Sequence, residues 1–305
     1  MNKMLLLVNP TAGQKKIMRH LGDVIALFNK ADYEVTVFMT AYSGHGTEIV
    51  EARCRDYDII VCAGGDGTLN EVITGLLHAG GNTPIGYIPC GSTNDFATTL
   101  KLPLNVMEAA RCVVEGVPVP HDVGRFDNRY FSYVASFGAF TRASYATPQN
   151  VKNALGHLAY WLEGISELTQ IRPAHVRFAY DGNMVEGDFI FGAISNTTSV
   201  GGVLTLDPRQ VDLQDGKFEL LLVRMPKDAG ELKELLRALT EQKYCCNVIT
   251  FNSFSRLTAW FPENLVWSLD GERAEGCDRV EIENLRHGVS IVHKPTEVQS
   301  KGEKK

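Results

Sequence analysis

The 305-residue sequence lacks the features of a membrane-spanning or disulfide-stabilised protein. The apolar run near its start, residues 4–8, is far too short for a signal peptide or a membrane span. Seven cysteines stand at irregular spacings without a CxxC pair, which is typical of reduced thiols. The net charge of −6 argues against a dedicated nucleic-acid-binding protein, because phosphate contacts need a basic surface. We therefore expect a soluble, cytoplasmic protein that binds no nucleic acid.

Several catalytic motifs are also absent. The sequence contains no GxxxxGK[ST] phosphate-binding loop, no HExxH zinc site and no GxSxG nucleophile elbow. Its eight histidines show no pairing at i,i+3 or i,i+4. These absences argue against zinc-dependent catalysis.

The first third of the chain alternates strand-like and helix-like segments, whereas the remainder is rich in strands. In the first third, the strand-like runs cover residues 4–8, 33–39, 59–63 and 85–88. Strand, turn and helix repeated in this way predict an open parallel α/β sheet.

Beyond Pro118 and Pro120, which mark a predicted hinge, the pattern is typical of an antiparallel sheet. We predict strands over residues 130–137, 175–180, 188–194, 218–224, 248–254 and 257–261, and helices over 153–169 and 231–243.

A glycine-rich turn, Gly64-Gly65-Asp66-Gly67, directly follows the third strand-like run. Glycines let backbone N–H groups approach an anion without obstruction, and the N-terminus of the following helix adds a favourable dipole. Asp66 would repel a phosphate unless a Mg²⁺ ion lay between them. The turn thus predicts a phosphate and magnesium site, with a tight strand-to-helix turn capped by Asp66 as the alternative.

Two further polar loops follow predicted strands of the same sheet. Residues 9–13 (NPTAG) end the first strand, with Lys15, Lys16 and Arg19 close behind, and residues 91–95 (GSTND) follow the fourth. Ligands of open α/β sheets bind at the carboxyl ends of the strands. We therefore expect these loops to converge with the glycine turn on one crevice.

Two Asp-Gly turns in the second half of the chain carry further carboxylates. Residues 269–272 (LDGE) offer two groups that could accept a hydroxyl proton during attack on phosphorus. Asp212 and residues 215–217 (DGK) could hold a hard cation. Taken alone, both segments are at least as typical of hairpin turns.

In order and spacing, these motifs resemble those of the diacylglycerol kinase catalytic family, specifically its soluble bacterial lipid kinases. The resemblance spans nearly the whole chain and is carried by residues 9–13, 64–72, 89–97, 122–124, 130–131, 145–148, 215–218 and 269–272. The GGDGT sequence by itself also occurs in NAD kinases and phosphofructokinases.

The resemblance implies an NAD kinase-like fold of two domains. An open α/β nucleotide-binding domain would cover residues 1–120, and an antiparallel, β-rich lipid-substrate domain residues 121–285. Residues 286–305 would return to the first domain and end in a frayed tail. The nucleotide contacts implied by position are Asn9, Pro10, Thr11, Ala12, Gly13, Thr40, Gly65, Asp66, Gly67, Thr68, Leu69, Asn70, Glu71 and Thr93.

Two magnesium sites are implied in the same way. An acidic network that organises a catalytic Mg²⁺ ion through water corresponds to Asp66, Asp95 and Asp122. A second, structural site corresponds to the backbone carbonyls of Asp212 and Lys217 and the side chain of Asp215.

The implied activity is ATP-dependent phosphorylation of a lipid hydroxyl, converting diacylglycerol to phosphatidic acid. Glu272 matches the family's proton acceptor, Asp270 is a required neighbour or a competing base, and Asp66 completes the catalytic residues. ATP and Mg²⁺ are the cofactors, and a lipid substrate requires transient contact with a membrane surface. The oligomeric state stays open, with a homodimer among the alternatives.

Two other functions remain open at this point. An NAD kinase would use the same nucleotide platform, although residues 94–97 and 269–272 favour a lipid kinase. A non-catalytic nucleotide sensor is the second alternative. Retention of every candidate carboxylate argues against it, since a protein that only binds nucleotide needs no base.

Overall fold

The computed structural model describes residues 1–138, 173–197, 199–200, 204–205, 214–241, 243–244, 246–262, 265–275 and 278–294. The helix predicted over 153–169, Asp212 and the tail at 295–305 lie outside these residues. The chain divides into two compact units. Among the described residues, unit 1 comprises Met1–Asp122 and the chain from His287 to Lys294, and unit 2 lies within Val123–Arg286. The domain boundaries predicted after residues 120 and 285 stay a prediction.

The described strands are β1 (Asn2–Val8), β2 (Tyr33–Met39), β3 (Ile59–Gly64), β4 (Ile85–Pro89), β5 (Val117–Phe126), β6 (Arg129–Phe131), β7 (Val134–Gly138), β8 (Ala174–Tyr180), β9 (Asn183–Ser195), β10 (Ser199–Val200), β11 (Leu204–Thr205), β12 (Phe218–Arg224), β13 (Ile249–Phe254), β14 (Arg256–Trp260), β15 (Val266–Leu269), β16 (Glu272–Glu275) and β17 (Arg279–His293). The described α-helices are α1 (Leu21–Lys30), α2 (His45–Arg53), α3 (Asp66–His78), α4 (Asp95–Thr99), α5 (Val106–Glu115) and α6 (Ala229–Glu241). Among these residues, no helix combines the length and the apolar character needed to cross a membrane.

Unit 1 contains the predicted parallel α/β sheet. Its strand order is β17-β4-β3-β1-β2, with every pairing parallel. Residues 4–8 of β1 and all of β3 and β4 are buried, as expected for strands covered by helices on both faces. The α/β class predicted for this part of the chain is confirmed. The last part of β17 supplies an edge strand, because Ile291 pairs with Ile85 of β4.

Unit 2 is antiparallel. Its strands follow the order β16-β15-β7-β9-β8-β14-β17, and β12 pairs with both β9 and β13. The fully buried indole ring of Trp267 lies at the centre of its aromatic core, with ring centroids 4.8 Å from Phe137 and 5.2 Å from Phe126. The β-rich second half predicted from the sequence is therefore confirmed.

The single strand predicted over 130–137 is instead two strands, β6 and β7. Between them, the N–H groups of Ser132 and Tyr133 donate to the side chain of Asp270 rather than to a neighbouring strand. Because a side chain takes these two N–H groups, they make no hydrogen bond to a neighbouring strand, and the run is interrupted there.

Pro118 and Pro120, which mark the predicted hinge, both lie within β5. Residues two apart in a strand direct their backbone N–H groups to the same edge. Because proline has no N–H, only one edge of β5 lacks hydrogen-bond donors at these positions.

Helix α5 was not predicted, although its signal is present. Asn105 accepts hydrogen bonds from the N–H groups of Met107 and Glu108, which is a standard N-terminal cap.

Candidate active site

The loops that follow β1, β2, β3 and β4 lie side by side at the carboxyl edge of the sheet in unit 1. Backbone hydrogen bonds join each loop to its neighbour: Thr40 N–H to the carbonyl of Val8 (2.9 Å), Asn9 N–H to that of Ala63 (2.9 Å) and Cys90 N–H to that of Gly64 (2.7 Å). The convergence expected from the order of the motifs is therefore present. It arises from the parallel pairing of the strands that carry the loops.

The loops pack so closely that two positions accept only glycine. Gly13 has a left-handed backbone (φ +50°), and a Cβ atom there would lie 1.8 Å from the carbonyl oxygen of Cys90. A Cβ atom on Gly91 would lie 2.7 Å from the Cα atom of Gly65. The backbones of three loops are thus in direct contact. Because glycine has no side chain, the N–H groups of these loops can line the crevice unobstructed.

Asn9 ties the first loop to the glycine turn. Its Oδ1 atom accepts hydrogen bonds from the N–H (3.1 Å) and hydroxyl (2.8 Å) of Thr11, while its Nδ2 group donates to the Oγ1 atom of Thr68 (3.0 Å). Pro10, Ala12, Gly67 and Thr93 are at least partly exposed on the same loops. These contacts fix the first loop and the glycine turn relative to each other.

Asp66 joins the glycine turn to the loop after β4. Its carboxylate accepts hydrogen bonds from the N–H groups of Asp95 (3.0 Å) and Phe96 (3.3 Å), the first residues of α4. The sequence left open that Asp66 caps a helix, and it does so, although the helix is α4 rather than its own α3. Asp66 is partly exposed, and a carboxylate has about four lone-pair sites, so this role is compatible with contact to a hydrated cation.

The other two members of the predicted magnesium network are buried to different degrees. Burial raises the pKa of the Asp95 carboxyl, since the charged form loses hydration. Asp122 is 2% exposed and accepts a hydrogen bond from the N–H of His287 (2.8 Å). A cation beside Asp95 would offset the lost hydration of its carboxylate.

In the part of the chain that the structure describes, no three Asp, Glu, His or Cys side chains are placed to coordinate one metal ion. A Mg²⁺ ion at Asp66 and Asp95 would therefore depend on water and phosphate oxygens for most of its ligands, which is usual for this ion. The residues fit the predicted magnesium site, in which water molecules link the carboxylates to the ion. They do not fit a site in which protein atoms supply all the ligands.

Two of the predicted nucleotide contacts, Leu69 and Glu71, also have structural partners. Leu69 is completely buried in the core, and its N–H donates to the carbonyl of Gly65 (3.0 Å). The carboxylate of Glu71 accepts from the N–H groups of Gly44 (2.7 Å) and Gly46 (2.9 Å). Glu71 therefore anchors the loop that follows Thr40 and the start of α2.

Sequence reasoning did not single out Cys90, a completely buried residue whose carbonyl oxygen lies against Gly13. Burial raises its pKa to about 11, and the nearby Lys16 offsets this only in part. The thiol is therefore neutral at physiological pH and is a poor nucleophile. Its carbonyl oxygen, against which Gly13 packs, could not have been identified from the sequence because it is a backbone atom.

In unit 2, Asp270 and Glu272 differ sharply in their surroundings. Asp270 is 6% exposed, and its carboxylate accepts from the N–H groups of Ser132, Tyr133 (3.0 Å) and Val134 (3.0 Å). Glu272, two residues later and at the start of β16, is exposed. The three backbone hydrogen bonds allow Asp270 to anchor the turn between β15 and β16. Glu272, by contrast, is accessible to solvent.

Asp215 and Lys217, two of the residues predicted to hold structural magnesium, form a closed turn. The Lys217 N–H donates to Oδ1 of Asp215 (2.9 Å), and the Lys217 carbonyl accepts from the Nδ2 group of Asn284 (2.9 Å). Because Asp212 lies outside the described residues, this site stays a prediction.

Comparison with known proteins identifies the family. Residues 3–126 match the model of the diacylglycerol kinase catalytic domain. The chain is 35% identical over 294 residues to the diacylglycerol kinase of Bacillus subtilis (strain 168), covering 96% of both proteins. It is 36% identical over 236 residues to the diacylglycerol kinase of Staphylococcus aureus (strain MRSA252), covering 77% of this chain and 73% of that protein.

Solved structures show the same fold. A crystal structure of a diacylglycerol kinase from Bacillus anthracis str. Sterne, at 22% identity, superposes with a TM-score of 0.74 over 96% of this chain and 97% of that one. A second structure from the same organism, at 24% identity, gives a TM-score of 0.79 with the same coverage of both chains. With motif order, fold and relatives in agreement, the chain belongs to the diacylglycerol kinase family and is a kinase.

Proposed function

We propose that this chain transfers the γ-phosphoryl group of ATP, in the presence of Mg²⁺, to the free hydroxyl of diacylglycerol and produces phosphatidic acid. The observation that carries the proposal is the crevice in unit 1, where the glycine turn and the loops after β1 and β4 pack backbone against backbone. The acceptor is taken from the names of the relatives in Bacillus subtilis and Staphylococcus aureus.

Phosphate binding is assigned to the glycine turn and the start of α3. Helix α3 begins at Asp66, and its first N–H groups have no acceptor within the helix. Such groups, together with the helix dipole, favour an anion at this position. Asn9 keeps the neighbouring loop in place through Thr68, so the donors require little rearrangement when phosphate arrives.

Asp66 and Asp95 are assigned to hold a hydrated Mg²⁺ ion next to the phosphates. When bound, the ion would neutralise charge that develops on the transferred group. Asp66 is fixed for this role by its two hydrogen bonds to the start of α4. Asp122 is assigned to the outer part of the same network through water.

Glu272 is assigned as the base. The lipid hydroxyl oxygen forms a bond to the γ-phosphorus as the bond to the β,γ-bridging oxygen breaks, ADP leaves, and the hydroxyl proton passes to the Glu272 carboxylate. An exposed carboxylate suits this role better than that of Asp270, which is occupied by backbone donors. We assign Asp270 to hold the turn that presents Glu272. Access to a lipid hydroxyl would require transient contact with a membrane surface.

The test is phosphate transfer to defined acceptors. The purified full-length chain is incubated with γ-labelled ATP and Mg²⁺, and with dioleoylglycerol, sphingosine or phosphatidylglycerol in mixed micelles, or with NAD in solution. We expect label in phosphatidic acid, and none when Asp66→Ala replaces the wild type. Label in NAD alone would identify a small-molecule kinase, label in another lipid would change the acceptor, and ATP binding without transfer would indicate a sensor.

A further inference from the structure

The 40–46 loop, defined as the chain after β2 together with the first two residues of α2, carries aromatic rings at the edge of the sheet where phosphate is proposed to bind. Thr40 follows β2 and is bonded to the end of β1, so the loop lies directly beside Asn9. The other loops of this edge, residues 9–13, 64–68 and 90–95, contain no aromatic side chain. Tyr42 and His45 are therefore the only flat rings that these four loops offer to a ligand.

Glu71 holds the backbone of the 40–46 loop in one conformation. Its carboxylate accepts from Gly44 and Gly46, and its own carbonyl accepts from the hydroxyl of Thr47 (3.0 Å). Gly44 has a left-handed backbone (φ +89°) that few other residues adopt easily. Because Glu71 ends the GGDGTLNE motif, the loop is tied directly to the helix that would bind phosphate.

Tyr42 is held while its ring remains largely accessible. The ring stacks on the imidazole of His45 with centroids 4.7 Å apart and planes 15° apart. Its hydroxyl donates to Glu48 (2.7 Å), and Nδ1 of His45 accepts from the N–H of Ala41 (3.1 Å). The residue is nevertheless 57% exposed. A tyrosine ring that is fixed and exposed has already lost the side-chain freedom that binding would otherwise remove.

We propose that Tyr42 stacks on the adenine base of the phosphoryl donor and contributes to its affinity. This inference rests on the proposed function, since it takes ATP as the donor. The phosphate loops recognise only the anionic end of such a molecule, whereas an aromatic ring beside them offers a surface for the base. Stacking needs the ring and not the hydroxyl, and it acts only on ligands that contain a base.

The test compares Tyr42→Ala, Tyr42→Phe and Tyr42→Trp with the wild type. Dissociation constants are measured by calorimetry for ATP with Mg²⁺, and for inorganic triphosphate with Mg²⁺ by competition against ATP. We expect Tyr42→Ala to weaken ATP binding about tenfold, the scale of loss of one base–aromatic stack, and to leave triphosphate binding unchanged. Tyr42→Phe and Tyr42→Trp should bind ATP like the wild type.

Tyr57→Ala is the matched control, because Tyr57 precedes β3 at the opposite edge of the same sheet. It should leave both dissociation constants unchanged. Thermal midpoints establish that each variant is folded, and Tyr42→Phe separates loss of the Glu48 hydrogen bond from loss of the ring.

Three outcomes would overturn the inference. Unchanged ATP binding by Tyr42→Ala would exclude stacking, and equal weakening of ATP and triphosphate would mean that Tyr42 only shapes the loop. Reduced binding to dioleoylglycerol-containing vesicles with normal ATP binding would mark Tyr42 as a membrane contact. Absence of ATP binding by the wild type would instead refute the proposed function itself.

Discussion

Asp66 in unit 1 and Asp270 in unit 2 use their carboxylates in the same way, yet their surroundings differ. Each accepts backbone N–H groups from a segment far away in the sequence, α4 for Asp66 and residues 132–134 for Asp270. Asp66 remains partly exposed at a crevice lined by glycine, whereas Asp270 is 6% exposed.

On the proposed function, a carboxylate fixed by backbone donors serves a ligand at Asp66 and the fold at Asp270. What separates the two carboxylates is burial, because Asp66 is partly exposed and Asp270 is buried. Asp66 can contact a hydrated ion from the crevice. Next to the buried Asp270, it is Glu272 that is exposed to solvent. We therefore expect substitutions in unit 1 to affect turnover directly, and substitutions of Asp270 to act through stability.

The largest effect is expected for Asp66→Ala. Loss of the carboxylate should lower kcat about 10³-fold, because charge on the transferred phosphoryl group is no longer neutralised. Removing two hydrogen bonds from α4 should cost only about 1–2 kcal/mol of unfolding free energy. Initial rates at saturating ATP and Mg²⁺, with thermal midpoints, check both values.

Asp58→Ala is the control for Asp66→Ala. Asp58 also accepts a backbone N–H, that of Lys3 (2.8 Å), but it precedes β3 at the opposite edge of the sheet. Its loss should leave kcat unchanged. If Asp66→Ala kept more than about a tenth of wild-type activity, a metal role worth over about 1.4 kcal/mol would be excluded.

Glu272→Gln should lower kcat about 10²-fold, since glutamine retains the size of the side chain but cannot accept the hydroxyl proton. The apparent affinities for ATP and Mg²⁺ should not change, because ground-state binding is unaffected. Steady-state kinetics with dioleoylglycerol provide the measurement. Glu281→Gln, another exposed glutamate of unit 2, should behave like the wild type. Near-normal turnover by Glu272→Gln would remove Glu272 as the base.

Asp270→Asn should lower the free energy of unfolding by about 2 kcal/mol, because an amide cannot accept from all three N–H groups that meet the carboxylate. Urea unfolding checks this value. Asp181→Asn is the matched control, since Asp181 also has a positive φ (+47°) before a glycine in a hairpin turn but is exposed. It should not alter stability. An Asp270→Asn variant with full stability and no turnover would instead identify Asp270 as the base.

The smallest effect is expected for Glu71→Gln. Glutamine can accept only one of the two N–H groups bound by Glu71, so the KM for ATP should rise about fivefold while kcat changes little. Amide hydrogen exchange of Gly44 and Gly46 should accelerate even without nucleotide. Glu51→Gln removes an exposed carboxylate of α2 that pairs with His78 (3.6 Å) and should change neither quantity. Unchanged exchange in Glu71→Gln would show that Glu71 does not hold the loop.

Much of the fold could be predicted because its signals are local. β2 covers the predicted residues 33–39 and β12 the predicted residues 218–224, since each is a short run of apolar or β-branched residues. The break between β6 and β7 could not be predicted, because it depends on Asp270, which lies more than 130 residues away in the sequence. Helix α5 could have been predicted from the cap at Asn105 followed by Glu108.

The sequence by itself determined the alternation of strands and helices in unit 1, the glycine turn after β3 and the positions of the candidate carboxylates. It could not distinguish the Asp-Gly turns at Asp181 and Asp270, since both are compatible with a left-handed aspartate followed by glycine. The tertiary structure decided this, because three N–H groups of residues 132–134 surround only Asp270. It also directed Asp66 to α4 and Glu71 to the 40–46 loop. Local preferences fix the backbone of a turn, whereas the partner of its carboxylate depends on which distant segment the pairing of strands brings near.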